Sequence, residues 1–266
     1  MLDFCSLYSG SSGNSIMVGN GSDHILIDAG MSGKKIEEAL NSKGLKTSDM
    51  SGLLITHEHS DHIKSVGVLA RKYGIPIYLT QGTYDEIKRM EYLGKIDDSL
   101  FNVISADVDF YINSLRIHPI KISHDAAQPV SFRIYNENKS IAVLTDLGFF
   151  DDYIVESISG VNGILLESNH DVRMLQTGPY SYPLKLRILS DYGHLSNENS
   201  GRLLSKVLHD NIEFIMLGHL SKENNMPDLA YETVRSEIDL ADNKYNSIDF
   251  NIEVASRDCP SKLYEI

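Results

Sequence analysis

Within six residues, His57-Glu58-His59-Ser60-Asp61-His62 carries four side chains able to bind a metal. The run follows the apolar stretch Leu53-Leu54-Ile55 and opens an amphipathic segment, His62–Tyr73, that closes at Gly74. A short apolar run without polar alternation reads as a strand buried on both faces. The chain must therefore bring a strand end and a helix start around one polar point. On extended backbone His57 and His59 project to the same side, because side chains alternate with a period of two. Asp61 and His62 fall in the turn that follows. Two pairs of ligands aimed at slightly different points suit two adjacent cations better than one. Imidazole with carboxylate oxygen is chemistry for zinc, and it accepts manganese or iron. A merely solvated His-rich loop has no reason to sit between a buried strand and a helix.

The same shape, an apolar run stopping at a polar cluster, recurs along the chain. Ile25-Leu26-Ile27 runs into Asp28, Ile141–Leu144 into Thr145-Asp146, Ile164-Leu165-Leu166 into Glu167, and Phe214–Leu217 into Gly218-His219. Helical stretches lie between. Ser32 caps one through about Ser42, stopped by Gly44. Thr83 and Glu86 form a capping-box pair ahead of Ile87–Leu93. Ser196 or Asn197 caps a segment through Leu208, and Pro227 opens another through Asp242. Leu2–Tyr8, Ser15–Val18, Phe110–Ile122 and Ile248–Ala255 alternate and read as further strands. Strands mixed with helices throughout predict an α/β chain whose sheets are covered by helices. No linker-like or low-complexity stretch appears, so residues 1–266 read as a single domain.

Composition narrows the class. No apolar run reaches the roughly 18 residues that span a bilayer, and Met1–Gly10 lacks the basic start and apolar stretch of a signal peptide. Two cysteines, Cys5 and Cys259, exclude a disulfide scaffold and read as structural or incidental. The expected location is the cytoplasm. His24 reads as a surface residue at a turn.

The H-x-H-x-D-H run after a strand resembles the signature of the metallo-β-lactamase fold, an αββα sandwich of two mixed β-sheets flanked by helices. Members of that fold add a distant His, then an Asp, then a last His. His124, in Ile122-Ser123-His124-Asp125, Asp146 and His219 match in order and setting. The resemblance implies that His57, His59 and His124 hold one metal, that Asp61, His62 and His219 hold the other, and that Asp146 bridges them. His194, in Gly193-His194-Leu195-Ser196, competes with His219 for the last metal position. In the phosphodiesterase branch of the fold, which includes the transfer-RNA 3′-processing nucleases, an extra His precedes the final metal His by a similar interval and acts on the scissile phosphate. The 25-residue gap from His194 to His219 is similar, which implies catalysis for His194 and metal for His219.

Further segments resemble the YycJ/WalJ family of that fold over nearly the whole chain. They are the opening Ser9-Gly10-Ser11-Ser12-Gly13-Asn14, then Leu166-Glu167-Ser168-Asn169-His170-Asp171, Gly178-Pro179-Tyr180, Leu184–Ile188 and Gly193–Glu198. This likeness implies a 5′-to-3′ exonuclease on double-stranded DNA, linked to DNA repair or replication. It would use two divalent ions per chain, zinc, manganese or ferrous iron, to activate water for attack on the phosphodiester. Asp61 would orient the nucleophile, and His194 would stabilise the transition state or protonate the leaving oxygen. Glu167 or His170 would orient His194 or line the site. Ser11 and Ser12 sit in a turn whose amides can form an anion-binding concavity, although an ordinary Gly-Ser hairpin uses the same residues.

Charge opposes a DNA partner at long range. The chain has 24 Lys and Arg against 37 Asp and Glu, a net −13, whereas phosphate binding draws on cations. The excess is uneven: residues 223–258 hold nine acids and three bases. Ahead of His194, Arg173, Tyr180, Tyr182, Lys185 and Arg187 interleave cations with aromatics, a pattern that tracks a phosphate backbone and stacks an end base. A solvated loop with buried tyrosines has the same composition. A small-molecule hydrolase (a lactonase or cyclic phosphodiesterase), a diiron redox enzyme and a non-catalytic scaffold in a DNA-processing complex are the competing readings. Oligomeric state and protein partners leave no signature.

Overall fold

A computed structural model describes all 266 residues. They form two compact units. Unit one comprises Met1–Lys121, Ala126–Lys139 and Ser256–Ile266, and unit two comprises Ile122–Asp125 and Ser140–Ala255.

Unit one is built on strands β1 (Asp3–Tyr8), β2 (Ser15–Gly19), β3 (His24–Ile27), β4 (Met50–Leu54), β5 (Ile77–Thr80) and β6 (Phe101–Ile104), which lie side by side in that order. The first three pair antiparallel and the rest parallel. Parallel pairing requires crossovers, and helices supply them: α1 (Gly33–Ser42), then the short α2 (Ser60–Ile63) and α3 (Val66–Tyr73), then α4 (Gln81–Arg89). Leu7, Met17, Leu26, Leu53 and Leu79 meet Ile36, Leu40, Ile63 and Leu69 in one core. Each such side chain removed from water contributes about 1.5–3 kcal/mol. Three more strands, β7 (Phe110–Ile112), β8 (Leu115–Lys121) and β9 (Val130–Asn136), form an antiparallel meander.

In unit two, β10 (Lys139–Leu144, whose first residue belongs to unit one), β11 (Gly163–Glu167), β12 (Phe214–Gly218) and β13 (Ile252–Val254) run parallel. Helices α5 (Asp152–Ile158), α6 (Val172–Thr177), α7 (Tyr182–Ile188), α8 (Asn197–Val207) and α9 (Pro227–Leu240) connect them. The chain then returns to unit one, where β14 (Tyr264–Glu265) pairs with β1. The apolar runs read from sequence are fully buried in β3, β11 and β12. In open parallel sheets the crevice beyond the carboxyl ends of the strands is where ligands are held. Asp28, His57, Asp146, Glu167 and His219 all lie at or just past such ends.

Five sequence expectations change, the first being Ile248–Ala255, where Ser247–Asp249 is a 3-10 turn and only Ile252–Val254 is strand. Phe110–Ile122 is not one strand but the β7–β8 hairpin, turned at Asn113 (φ +50°). His62–Tyr73 is two helices, because the Ser65 amide donates to the Ala29 carbonyl (2.9 Å) and its hydroxyl to Met31. The helix around Ile87 is capped by Thr80, whose hydroxyl accepts from the Thr83 amide, not by Thr83. His24 is buried at the start of β3, its Nε2 3.8 Å from Asp3 Oδ2.

Candidate metal centre

In unit one, β4 delivers Thr56 and His57 from its carboxyl end, and the turn into α2 delivers His59, Asp61 and His62. The ring centroids of His57 lie 4.6 Å from His59 and 4.2 Å from His62. Asp61 Oδ2 is 3.6 Å from His62 Nε2. The four side chains therefore share one small volume. Beneath them sits Asp28, whose Oδ1 accepts the Thr56 amide (2.9 Å) and whose Oδ2 accepts the Thr56 hydroxyl (2.8 Å). Oδ2 also lies 2.7 Å from His62 Nδ1. A carboxylate there makes Nδ1 the protonated nitrogen and turns the Nε2 lone pair outward. Thr56 treats His57 alike, with its Oγ1 3.0 Å from Nδ1. Asn14 Nδ2 lies 3.2 Å from His62 Nε2, and the Asn14 amide donates to Asp61 O (2.8 Å). The Ser-Gly turn is thereby laced onto the metal motif.

In unit two, Asp146 Oδ1 lies 3.6 Å from His124 Nε2, 3.4 Å from His219 Nε2 and 3.6 Å from His194 Nδ1. Donor atoms of Asp146, Glu167, His194 and His219 all fall within 4.8 Å of one another. The His124 ring donates from Nδ1 to the Gly193 carbonyl (3.0 Å), which leaves Nε2 facing Asp146. His194 Nδ1 is 2.7 Å from Oε1 of the fully buried Glu167. Glu167 Oε2 accepts the amides of Leu147 (2.7 Å) and Leu195 (3.3 Å). One carboxylate thus fixes both the His194 tautomer and the two loops that flank it. The His194 side chain stays 19% exposed.

The backbone marks the same positions. Six non-glycine residues have left-handed φ, and three of them are Asp28 (+62°), Asp146 (+59°) and His219 (+54°). Such conformations cost free energy and persist where their surroundings enforce them, often at functional sites.

Every metal candidate read from sequence thus lies in one of two clusters: His57, His59, Asp61 and His62 in unit one, and His124, Asp146 and His219, with His194, in unit two. The substrate candidates are more scattered. Ser11 and Ser12 are exposed at the tip of the β1–β2 turn. Lys185 Nζ donates to the carbonyls of Gln176 (2.8 Å) and Gly178 (2.7 Å), closing α6. Arg187 grips Asp125, with Nη2 3.0 Å from Oδ1 and Nε against Oδ2. Both cations are engaged within their own unit. Both stand on the helix α7, not on a loop, and Tyr182 on the same helix is 72% exposed. His170 is buried with no hydrogen-bond partner on either ring nitrogen. Burial, and secondarily the charge of His194, push its pKa down to about 4.

Asp28 and Thr56 escaped the sequence reading. Asp28 carried a signal, since it ends an apolar run as Asp146 does, but nothing local shows that it serves His62. Buried imidazoles and carboxylates, with their second ring nitrogens fixed by Asp28, Thr56 and the Gly193 carbonyl, form a donor set that fits divalent cations.

Comparison with known proteins agrees. The metallo-beta-lactamase superfamily matches residues 8–219. The chain is 41% identical to exodeoxyribonuclease WalJ of Streptococcus pneumoniae serotype 2 over 260 residues, covering 98% of this chain and 96% of that protein. It is 42% identical to exodeoxyribonuclease YycJ of Bacillus anthracis over 234 residues, 88% of each. The metallo-beta-lactamase fold protein YhfI from Bacillus subtilis shares the fold, with a TM-score of 0.70 over 100% of both chains at 14% identity. Two mixed sheets flanked by helices, candidate ligands at strand ends and alignment over 98% and 88% of the chain with two such relatives lead to one assignment: this chain belongs to the metallo-β-lactamase superfamily and, within it, to the family of WalJ and YycJ.

Proposed function

We propose that this chain is a metal-dependent exodeoxyribonuclease that degrades double-stranded DNA 5′-to-3′ in the cytoplasm, in repair or replication. The observation that carries the chemistry is the His194–Glu167 pair beside Asp146. An imidazole whose Nδ1 is held by a buried carboxylate, partly exposed and set among metal donors, is built to hand a proton to a leaving oxygen. The ligand sets are those that the family resemblance implies. His57, His59 and His124 would hold one divalent cation, Asp61, His62 and His219 would hold the other, and Asp146 would serve both. When bound, such a pair supplies an activated water and neutralises charge on the phosphoryl oxygens. The superfamily typically uses two divalent metals; zinc or manganese is the expected pair here, with ferrous iron third.

The chain's own residues do the rest. Asp61 orients the attacking water. As the new P–O bond forms and the bond to the 3′ oxygen breaks, His194 Nε2 delivers a proton to that oxygen, and Glu167 holds the ring on line throughout. Asp28 and Thr56 hold the ring planes of His62 and His57.

Digestion of 5′-labelled and 3′-labelled duplex DNA with Mn²⁺ or Zn²⁺ tests the reading. The wild type should release label from 5′ ends. His59→Ala and Asp146→Ala should lose metal and nearly all turnover. His194→Ala should keep its metal while kcat falls about 10²–10⁴-fold. Full nuclease activity in metal-free Asp146→Ala would end the proposal. The net charge of −13 and the internal engagement of Lys185 and Arg187 favour a second reading, a small-molecule hydrolase. Turnover of lactones or cyclic phosphodiesters without any on linear DNA would establish it.

A further inference from the structure

We infer that the exposed Ser11-Ser12 turn and Arg257 form a phosphate-holding subsite beside the unit-one ligands, for a backbone phosphate of the DNA strand. This rests on the nuclease reading above and names a residue outside it.

The turn's hydrogen bonds are nearly all committed. The Ser9 amide donates to Ser256 O (3.2 Å), Gly13 to Gly10 O (2.9 Å) and Asn14 to Asp61 O (2.8 Å). The Gly10 amide donates to Asn14 Oδ1 (3.0 Å). The two central residues, Ser11 and Ser12, keep their amides for an outside acceptor, and both are exposed beside their hydroxyls. The chain holds this turn firmly. A Cβ on Gly13 would lie 2.5 Å from Met31 Sδ and 2.8 Å from Gly30 O. Gly30 in turn donates to Asn14 O (2.8 Å). Asn14 ends the turn against Asp61 and His62, so the open amides stand at the edge of the metal ligands.

A cation arrives from far along the chain. Arg257 Nη1 donates to Ser12 Oγ at 3.3 Å, across 245 residues of sequence. Its position is fixed on both sides. Ser256 O takes the Ser9 amide, and the Ser261 amide donates to Ser6 O (2.9 Å). Ser256 Oγ accepts the amides of Asp258 (3.1 Å) and Cys259 (3.2 Å). Residues 223–258 contain only three bases among nine acids, and one of the three is placed on this turn. A planar guanidinium next to two amides and two hydroxyls matches the non-bridging oxygens of a phosphate.

The test compares wild type, Arg257→Gln, Arg257→Lys and Ser12→Asp on duplex DNA with 5′-phosphoryl or 5′-hydroxyl ends. Binding is also read by fluorescence anisotropy in EDTA across a salt series. Loss of a charge-assisted contact should raise KM and the dissociation constant about tenfold in Arg257→Gln. It should leave kcat and the melting temperature nearly unchanged and lower the salt slope by about one. Arg257→Lys should recover part of the loss. Ser12→Asp keeps the Ser9–Ser256 and Ser261–Ser6 contacts of the tail, replaces the hydroxyl that Arg257 meets with a carboxylate, and should weaken binding through its charge. An effect confined to 5′-phosphoryl ends makes the bound group the terminal phosphate; an equal effect on both makes it an internal one. Unchanged KM, binding and salt slope in Arg257→Gln and Ser12→Asp would overturn the subsite while the nuclease reading stands. Failure of the wild type to cut any DNA would instead remove the nuclease reading.

Discussion

Asp28 touches no cation in the proposed centre, yet it sets the direction of one ligand. Its carboxylate spans the Thr56 amide, the Thr56 hydroxyl and His62 Nδ1. Asp28→Asn keeps the shape but loses the charge that fixes the ring. Metal affinity should fall about 10–100-fold, as is usual when a ligand loses its hydrogen-bonded support, and a chelator competition would read it. His170 makes a separate prediction in metal-free protein. Its folded pKa, about 4, lies below the ordinary 6.5. Between those values the unfolded chain binds more protons, so the stability owed to the neutral ring is complete above about pH 6.5 and is lost as pH falls toward 4. The loss amounts to about 3 kcal/mol at the acid end. Melting in EDTA at pH 7 and pH 5 should show a smaller drop for His170→Leu than for wild type. Equal drops would assign the acid sensitivity elsewhere. At this scale the imidazoles were legible because they crowd into a short run or end apolar runs. Asp28 was not, because its partners follow from the pairing of Ile27 with Leu54 across β3 and β4, which no local pattern encodes.

Among the elements, those with local signals came through sequence reading well. Ser32 caps α1 by accepting the Lys35 amide, and Ser196 caps α8 by accepting that of Asn199. Breaks imposed from a distance did not come through: Ser65 interrupts the helix after the metal motif only because Ala29 and Met31 bind it. The same neighbourhood explains Gly30. A Cβ there would lie 1.6 Å from the Asp61 carbonyl oxygen, a backbone atom with nowhere to go. Gly30→Ala should therefore push the ligand turn off the β3 end. The expected cost is upwards of about 3 kcal/mol, with metal binding lost at temperatures where the variant is still folded. Denaturant titration beside metal analysis would check both, and a variant of normal stability and metal content would contradict the packing described here.

For the whole molecule, stability and metal act together. Cations that bind the folded donor set and not the unfolded chain stabilise the fold, so the loaded protein should be the more stable form. At a free metal concentration of about one hundred times the dissociation constant the gain is about 2.7 kcal/mol, or roughly 5–10 °C in melting temperature for a chain of this size. Stripping with EDTA should lower the midpoint by that amount, and Mn²⁺ or Zn²⁺ should restore it; an unmoved midpoint would argue against the donor set. Sequence length and composition could not reveal the division into units, because the chain enters unit two for only four residues, Ile122–Asp125, before its main stretch. That brief visit supplies His124. A single scission therefore cannot release the two units as separate, complete pieces. Cutting after Lys139 strands His124 on the first fragment and Arg257 on the second, each cut off from the unit to which it belongs.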